Sequence, residues 1–542
     1  MKVLNIPGNW FPASNLVAGT ILADHRFGAE SSISISNDTY SSYAAILWAE
    51  MLAFKHNIKL TTFINSDPVY FNPNVARIEA TGKMWHDLYF MTDHWVNPIT
   101  GNYELIPDYT SATWSSAGAA VFANAVAGQP KPTGLDGSGT AISAIKYPSH
   151  GQQMWDISGG AFGYNFPNNT TGVSNLSELR NMDLYQRNGL ELLLGRKVST
   201  YAYRNGISTQ RWLLKDRYLG GRNSAGRLSG PALTSCGFKQ TNRSTKLGEF
   251  FYTDAQIAAN PDLGWTANHH MVRQSTVQYE SYLTGGAGSD NYQTAHNNFK
   301  AYLTTLFNGN GSTIKSLFTS SGWFQEFTHF ANMFQGNGWA GTKGDIRNLY
   351  ADYIAKVDEL CVGHFVNKSG YGEIVEYHTL RDSIKRIDVY KISDTVIRIA
   401  TRSDKRSDLI NTPVTVVIDL TGTSFENKNF KPALGCKGIR KVSDNLYAVD
   451  ILFSGLIEVN EEGLYHDFNK PLVSALIEGE KVNWTSNVPV KVVLYSVDSN
   501  GFVTEVSRVN NLEVSGSITK GSGTIYKLGA VNFTGTSTLI DL

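Results

Sequence analysis

The groups in this chain that could hold a cation or move a proton are a few scattered carboxylates and imidazoles. Asp38 ends the stretch Ile33-Ser34-Ile35-Ser36-Asn37-Asp38 and precedes a helical pattern, so it serves either as a helix N-cap or as a metal ligand. His150 follows Pro148-Ser149 in a turn, and His329 stands among the aromatics Trp323, Phe324, Phe327 and Phe330. Their plain alternatives are an exposed histidine and a satisfied core histidine. Glu326 and Asp352 offer the two carboxylates a glycoside hydrolase needs, but nothing in their spacing selects them. Asn268-His269-His270 has no accompanying carboxylate motif and reads as loop. Glu373, Glu376 and Arg381 fall three to eight positions apart on a predicted helix, where surface pairing is the default explanation. Cys236, Cys361 and Cys436 are widely spaced and odd in number, so neither a disulfide framework nor a CxxC metal site is indicated and they read as buried or free thiols.

The elements that must position these groups change character along the chain. Ile33 to Ile35 alternates with serine as a strand does; Ala44, Leu47, Trp48 and Met51 then recur at helical spacing, and Lys59 to Ile64 is strand-like again. This is a β-α-β opening. Asn175 with Glu178 forms a capping-box pattern for a second helix, followed by a strand at Lys197 to Tyr203. Between these lies a Gly-, Ala-, Ser- and Thr-rich insertion at about residues 96–145, the kind of segment that sits at strand ends where sites are built. A helix through Ile346, Leu349, Tyr350, Tyr353 and Val357 precedes a strand-like 363–366. From Ile387 short alternating strands take over without a helix, which indicates an antiparallel sandwich. The expected domains are 1–385, 386–468 as a β-sandwich, and 469–542 as a second small β module or the rest of the sandwich.

At 542 residues the chain exceeds the roughly 250 to 300 at which single cores stop growing. Its 47 basic and 47 acidic residues cancel and form no long block of one sign, which argues against nucleic acid and anionic membrane and for a neutral polar partner. Aromatic residues make up 12% of the chain, enough to stack on sugar rings as well as to fill cores. No run of about 18 apolar residues predicts a membrane span, and Met1 to Pro12 is too interrupted by Asn5, Pro7 and Gly8 for a secretory h-region.

The order of several short motifs resembles the polysaccharide deacetylases of the NodB homology family, also called carbohydrate esterase family 4. Asn37-Asp38-Thr39-Tyr40 stands where that family has its acidic TFDDG-like motif, and Lys59-Leu60-Thr61-Thr62-Phe63-Ile64 matches the following strand. Ser149-His150-Gly151-Gln152-Gln153-Met154 matches the H-[ST]-x-x-H motif at its first histidine. Tyr201-Ala202-Tyr203-Arg204-Asn205-Gly206 resembles "YPyG", with Arg204 in place of proline, and the strand from Trp323 leads to His329. Tyr371 to Arg381 resembles the family's closing helix. Together these cover about 350 residues.

The resemblance implies an α/β fold, a distorted (β/α) barrel, followed by C-terminal all-β sandwich modules. It implies catalytic positions at Asn37 (base) and His329 (acid to the leaving group), divalent, zinc-like metal ligands at Asp38 and His150, and substrate contacts at Tyr201, Tyr203, Arg204 and Trp323. The implied reaction is metal-assisted hydrolysis of N- or O-acetyl groups on a cell-surface polysaccharide. Two positions depart from the pattern: Asn37 cannot be a carboxylate base, and Met154 offers a thioether where the second histidine belongs, a poor ligand for zinc in an oxygen and imidazole site. His86 and His94 are candidate substitute ligands, and Asp24 or Asp156 a substitute base. The alternative is a catalytically degenerate deacetylase fold used for glycan binding or structure. The missing secretion signal and β-rich tail fit a bacteriophage particle component, placed in the virion or outside the cell, with homo-oligomer or virion assembly through the C-terminal β modules; otherwise the protein is expected in the cytoplasm.

Overall fold

The computed structural model describes residues 21–38, 43–64, 198–202, 218–222, 277–279, 292–311, 316–319, 321–328, 346–403, 409–463, 468–499, 501, 503–523 and 525–542, and the strand segments 94–96, 103–105, 134–135, 141–142, 155–159 and 270–271. The chain enters through β1 (Ile21–Leu22) and a 3-10 turn at Arg26–Gly28, then forms β2 (Ser31–Asp38), α1 (Tyr43–His56) and β3 (Leu60–Ile64). The insertion carries two small ladders, β4 (His94–Val96) with β5 (Tyr103–Leu105) and β6 (Gly134–Leu135) with β7 (Ala141–Ile142). Next come β8 (Trp155–Gly159), β9 (Thr200–Ala202), β10 (Gly220–Arg222), β11 (His270–Met271), β12 (Val277–Gln278) and α2 (Tyr292–Asn308). This part closes with β13 (Trp323–Thr328), α3 (Arg347–Leu360), β14 (Val366–Asn367) and α4 (Tyr371–Ser383). The helix expected from Asn175 lies outside the described residues.

Eight of these strands form a sheet in the order β11-β10-β9-β8-β3-β2-β13-β12, with β14 beside the first residues of β2. Every pairing in it is parallel. The path is open among the described residues, so the protein is mixed α/β with a parallel sheet, and the complete barrel implied by the resemblance is not shown. β2 sits in the middle and is buried on both faces, as parallel strands are. Its Ile35 packs beside Ala49 and Ile354 of two helices, while Ser34 and Ser36 on the other face meet polar partners: Trp323 Nε1 donates to Ser34 Oγ at 3.0 Å, and Ser36 Oγ donates to the Glu326 carbonyl at 3.0 Å.

The second module starts without a linker, since α4 ends at Ser383 and β15 (Ile384–Lys391) begins at the next residue. β16 (Val396–Ser403), β17 (Val414–Asp419), β18 (Phe430–Pro432), β19 (Cys436–Ser443), β20 (Leu446–Ile451) and β21 (Ser454–Val459) complete two antiparallel sheets, β1-β17-β20-β19 and β15-β16-β21-β18. The N-terminal β1 thus belongs to the sandwich, pairing Ile21 and Leu22 with Val417 and Val416. Tyr377 and Leu380 of α4 enter the sandwich core beside Val416, Val449 and Ile399. This corrects the surface assignment of that helix. Arg381 is buried and paired with Asp24 at 2.6 Å, Glu373 pairs with Lys59 at 2.5 Å, and Glu376 accepts from Thr412 at 3.1 Å, because the helix is wedged between sheet and sandwich.

The last module is a separate sheet of β22 (Val473–Glu478), β23 (Lys481–Val497), β24 (Val503–Thr519), β25 (Ile525–Asn532) and β26 (Ser537–Asp541). β23 and β24 run 17 residues each, with register shifts between Thr485 and Val490. Such irregularities bend a ladder, and here Val482, Trp484 and Ile518 share one core with Val490, Val492 and Leu528. The opposite face of β23 meets α1. Gly529 is required there, since a Cβ would stand 2.8 Å from the Phe54 ring. Sheet on one side and β module on the other explain why α1 is apolar nearly all round. No helix among the described residues is long and apolar enough to cross a membrane.

A buried polar chain at the amino end of the parallel sheet gives the fold a pH dependence. The Ser321 carbonyl can only accept, so His25 Nε2 donates to it at 3.0 Å and Nδ1 accepts from Ser32 Oγ at 2.7 Å. Burial lowers the His25 pKa from 6.5 to about 4, and burial also holds His378, 5.5 Å away, well below its ordinary value. The unfolded chain therefore binds more protons than the folded one below pH 6.5, and stability falls as the pH drops from about 6.5 toward 4. For His25 alone the loss approaches about 3 kcal/mol at the acid end. Urea midpoints measured from pH 7 to 4 should fall in wild type and fall less in His25→Gln; parallel curves would refute the assignment.

Candidate functional site

The register of the central strands assembles the carboxyl end of the sheet. Asn37 of β2 lies opposite Thr62 of β3 on one side and Thr328 of β13 on the other, and Asp38 pairs along the backbone with Phe63. β8 continues the row, Thr62 lying opposite Ile157. The strand ending in Asn37-Asp38 and the strand Trp323–Thr328 therefore end side by side. Carboxyl ends of parallel strands are where ligand sites of open α/β sheets are built.

Asn37 is fully buried, on the face of β2 that carries Ile33 and Ile35. An amide there offers a hydrogen-bond donor and acceptor but no ionisable base. Thr328, its neighbour, has a buried hydroxyl without a hydrogen-bond partner among the described residues, and the side-chain amide oxygen of Gln325, three residues earlier and so on the opposite face of the strand, has none among them either. Such orphaned atoms are few in folded proteins and call for a partner or ligand. His329 follows Thr328 directly and lies outside the described residues, as do His150, Tyr203, Arg204 and Met154. The backbone of Tyr201 lies in β9, opposite Gly159 of β8.

Other expected residues are placed elsewhere. Trp323 is fully buried at the amino end of β13, opposite Ser32, where it packs on Tyr371 with ring centroids 5.3 Å apart. It fills the core with Phe63 and Ile374 and offers no exposed face for a sugar, because the strand leads away from the site at that end. Asp24 also stands at the amino end, accepting from Ser321 at 3.2 Å and from Arg381. An eight-residue strand spans roughly 23 Å, so Asp24 cannot replace a base beside Asn37. Asp156 is one register position nearer the amino end than Asn37, with its backbone opposite Thr61. His94 belongs to the separate β4–β5 ladder, and His86 lies outside the described residues.

The pair of carboxylates for a glycosidase does not form. Glu326 is buried under α3 and accepts from the Tyr350 hydroxyl at 3.2 Å. Asp352 is on the outer side of that helix, bonded to Lys300 at 2.6 Å and to His296 at 2.7 Å, and these bonds hold its carboxyl below the ordinary carboxylate pKa. What sequence inspection missed is the amount of polar material in the interior: Glu50, His25 and His296 are all buried, and only the run of serines in β2 hinted at it.

Among the described residues no three His, Cys, Asp or Glu side chains come together as a metal site requires. The sequence resemblance implies Asp38 and His150 as two ligands, and a thioether such as that of Met154 is poorly suited to zinc as a third. Cys361 and Cys436 are free thiols, and burial pushes their pKa values up to about 11 and about 12, which makes them unreactive.

No protein-family profile matches this chain, and no match was found among curated proteins. Among solved structures the chain is similar to a Mycobacterium smegmatis protein provisionally assigned as a polysaccharide deacetylase, over 66% of this chain and 94% of that one, with 9% identity and a TM-score of 0.30. A similarity this low assigns neither fold nor chemistry to the present chain.

Proposed function

We propose that this chain is a carbohydrate deacetylase-like protein directed at a cell-surface glycan, which it engages at the carboxyl end of its parallel sheet. The observation that supports this reading is the strand register, which sets Asn37-Asp38 beside Thr328, the residue before His329. Removing an acetyl group needs an activated water, stabilisation of the oxyanion and an acid for the leaving group. His329 is the proposed acid. Asp38 and His150 are the proposed ligands of a divalent ion, which when bound would polarise the carbonyl and activate water. Tyr201, Tyr203 and Arg204 are the proposed sugar contacts.

The buried amide of Asn37 favours a second reading, a fold of this type kept for glycan binding or as a structural part of a particle such as a virion. Loss of a general base commonly lowers a rate by about 100- to 10,000-fold. Elemental analysis and acetate release from acetylated oligosaccharides, for wild type, Asp38→Ala and His150→Ala, separate the two. The deacetylase reading expects one metal per chain in the wild type, and loss of both metal and acetate release in each variant. A metal-free wild type that releases no acetate but is retained on polysaccharide supports the binding module, and a wild type that does none of these things removes both.

A further inference from the structure

A line of buried groups under α2 and α3 takes no part in the reaction proposed above. Tyr279, the residue after β12, is fully buried, and so is His296 of α2. The Tyr279 hydroxyl lies 2.7 Å from His296 Nδ1, and His296 Nε2 lies 2.7 Å from the Asp352 carboxylate on α3. A carboxylate only accepts, so Nε2 carries the ring proton. In the neutral imidazole Nδ1 is then bare, and the Tyr279 hydroxyl donates to it. Lys300 bonds to Asp352 at 2.6 Å and, with His296, holds that carboxyl below its ordinary pKa. The order from surface to interior is therefore ammonium, carboxylate, imidazole, phenol.

The phenol also stands in a close-packed aromatic group. Tyr279 stacks on Tyr353 with ring centroids 4.9 Å apart and 11° between the planes, and it meets Tyr350 edge-on at 5.5 Å and Phe299 at 5.3 Å. Tyr350 lies 5.9 Å from Trp48 of α1, which is 8% exposed. These are contact separations for aromatic rings, and phenols and indoles are side chains from which a single electron can be drawn. Burial, with the charges of Asp352 and Glu326, pushes the Tyr279 pKa well above its ordinary value. The phenol therefore keeps its proton until an electron leaves; an oxidised phenol is a strong acid, and its acceptor is already in place at hydrogen-bond distance.

We propose that Tyr279 is a site of reversible one-electron oxidation, giving its electron to a small radical oxidant at the surface by way of Tyr350 and Trp48, and its proton to His296 Nδ1. The phenol O–H bond breaks and an N–H bond forms. Tyr279 is left as a neutral phenoxyl radical, His296 as an imidazolium paired with Asp352, and the oxidant is reduced by one electron. A one-electron reductant such as ascorbate reverses each change. The paired carboxylate is what makes the buried imidazolium tolerable, since a buried charge without a partner is strongly destabilising. The chain thereby holds a buried sink for oxidising equivalents, independent of any glycan chemistry at the carboxyl end of the sheet.

Pulse radiolysis of the full chain with azide radical as the oxidant, followed by absorbance and by electron paramagnetic resonance of freeze-quenched samples, reads the radical directly. Wild type should form a long-lived tyrosyl radical that ascorbate removes. Tyr279→Phe keeps the ring and its packing and should lose that signal, leaving the short-lived radicals of exposed aromatics. His296→Asn keeps an acceptor near the position of Nδ1 but cannot take up the proton, so the lifetime should shorten about tenfold, the factor for losing one hydrogen bond to a charged group. Asp352→Asn, on the outer side of α3, removes the balancing charge and should shorten it in the same direction. Thermal unfolding reports which variants are intact, and the Asp352 variant carries the test if the His296 variant does not fold. Absence of a long-lived tyrosyl radical in wild type, its persistence in Tyr279→Phe, or an unchanged lifetime in a folded His296 or Asp352 variant overturns the proposal.

Discussion

Replacing Glu50 by alanine is expected to destabilise the protein by about 3 to 5 kcal/mol, the range for breaking a buried ion pair by removing one partner. Glu50 lies on α1 with its carboxylate excluded from solvent. The Tyr495 hydroxyl donates to Oε2 at 2.5 Å, and Arg508 donates to both oxygens at 3.3 and 2.9 Å. Burial raises the Glu50 pKa against the pull of Arg508, so the cluster is not strongly stabilising in itself; its cost appears when one member is lost. Arg508 keeps Glu505 at 2.8 Å, which places the expected loss toward the lower end of the range. Urea unfolding followed by tryptophan fluorescence reads the loss. Glu50→Leu combined with Arg508→Met and Glu505→Gln should recover much of it, because the apolar pair and the neutral amide remove all three desolvated charges together. A shift in the single variant below about 1 kcal/mol, the level of an exposed pair, would show that the interface between α1 and the last module opens to water.

Glu50 also marks what the sequence could and could not reveal. α1 itself was legible, because Leu47, Trp48 and Met51 recur at helical spacing. Its second buried face was not, since the partner residues Tyr495 and Arg508 come from more than 440 positions away. The sandwich strands were readable for the same local reason, their period-2 alternation, and Val414 to Ile418 and Tyr447 to Ile451 lie within β17 and β20. The contribution of Ile21 and Leu22 to that sandwich had no local sign, as two residues carry no periodicity.

The same contrast holds at the proposed site. Period and order showed that Asn37-Asp38 ends a strand and that a strand leads to His329. Sequence could not give their register, which depends on a pairing across about 290 residues. Nor could it separate an aromatic that stacks on a sugar from one that fills a core. Both belong to large, flat side chains with one polar atom, and only the surroundings decide which role applies.

Trp323 turns that ambiguity into a measurement. Its indole is fully buried, donates to Ser34 and packs against Tyr371. Trp323→Ala should therefore cost about 3 to 5 kcal/mol, the usual range for truncating a buried tryptophan or phenylalanine, because the sheet, held by β2 on one side and α4 on the other, can close the cavity only in part. Trp323→Phe keeps most of the volume and loses the N–H, so it should cost less, with Ser34 left to find another donor. A sugar-stacking residue behaves differently: its truncation lowers retention on polysaccharide and leaves the urea midpoint where it was. Measuring both quantities on both variants decides between core and platform. A stability loss with unchanged retention per folded molecule assigns Trp323 to the core, and the reverse pattern would place a glycan contact at the amino end of β13, where the present structure has none.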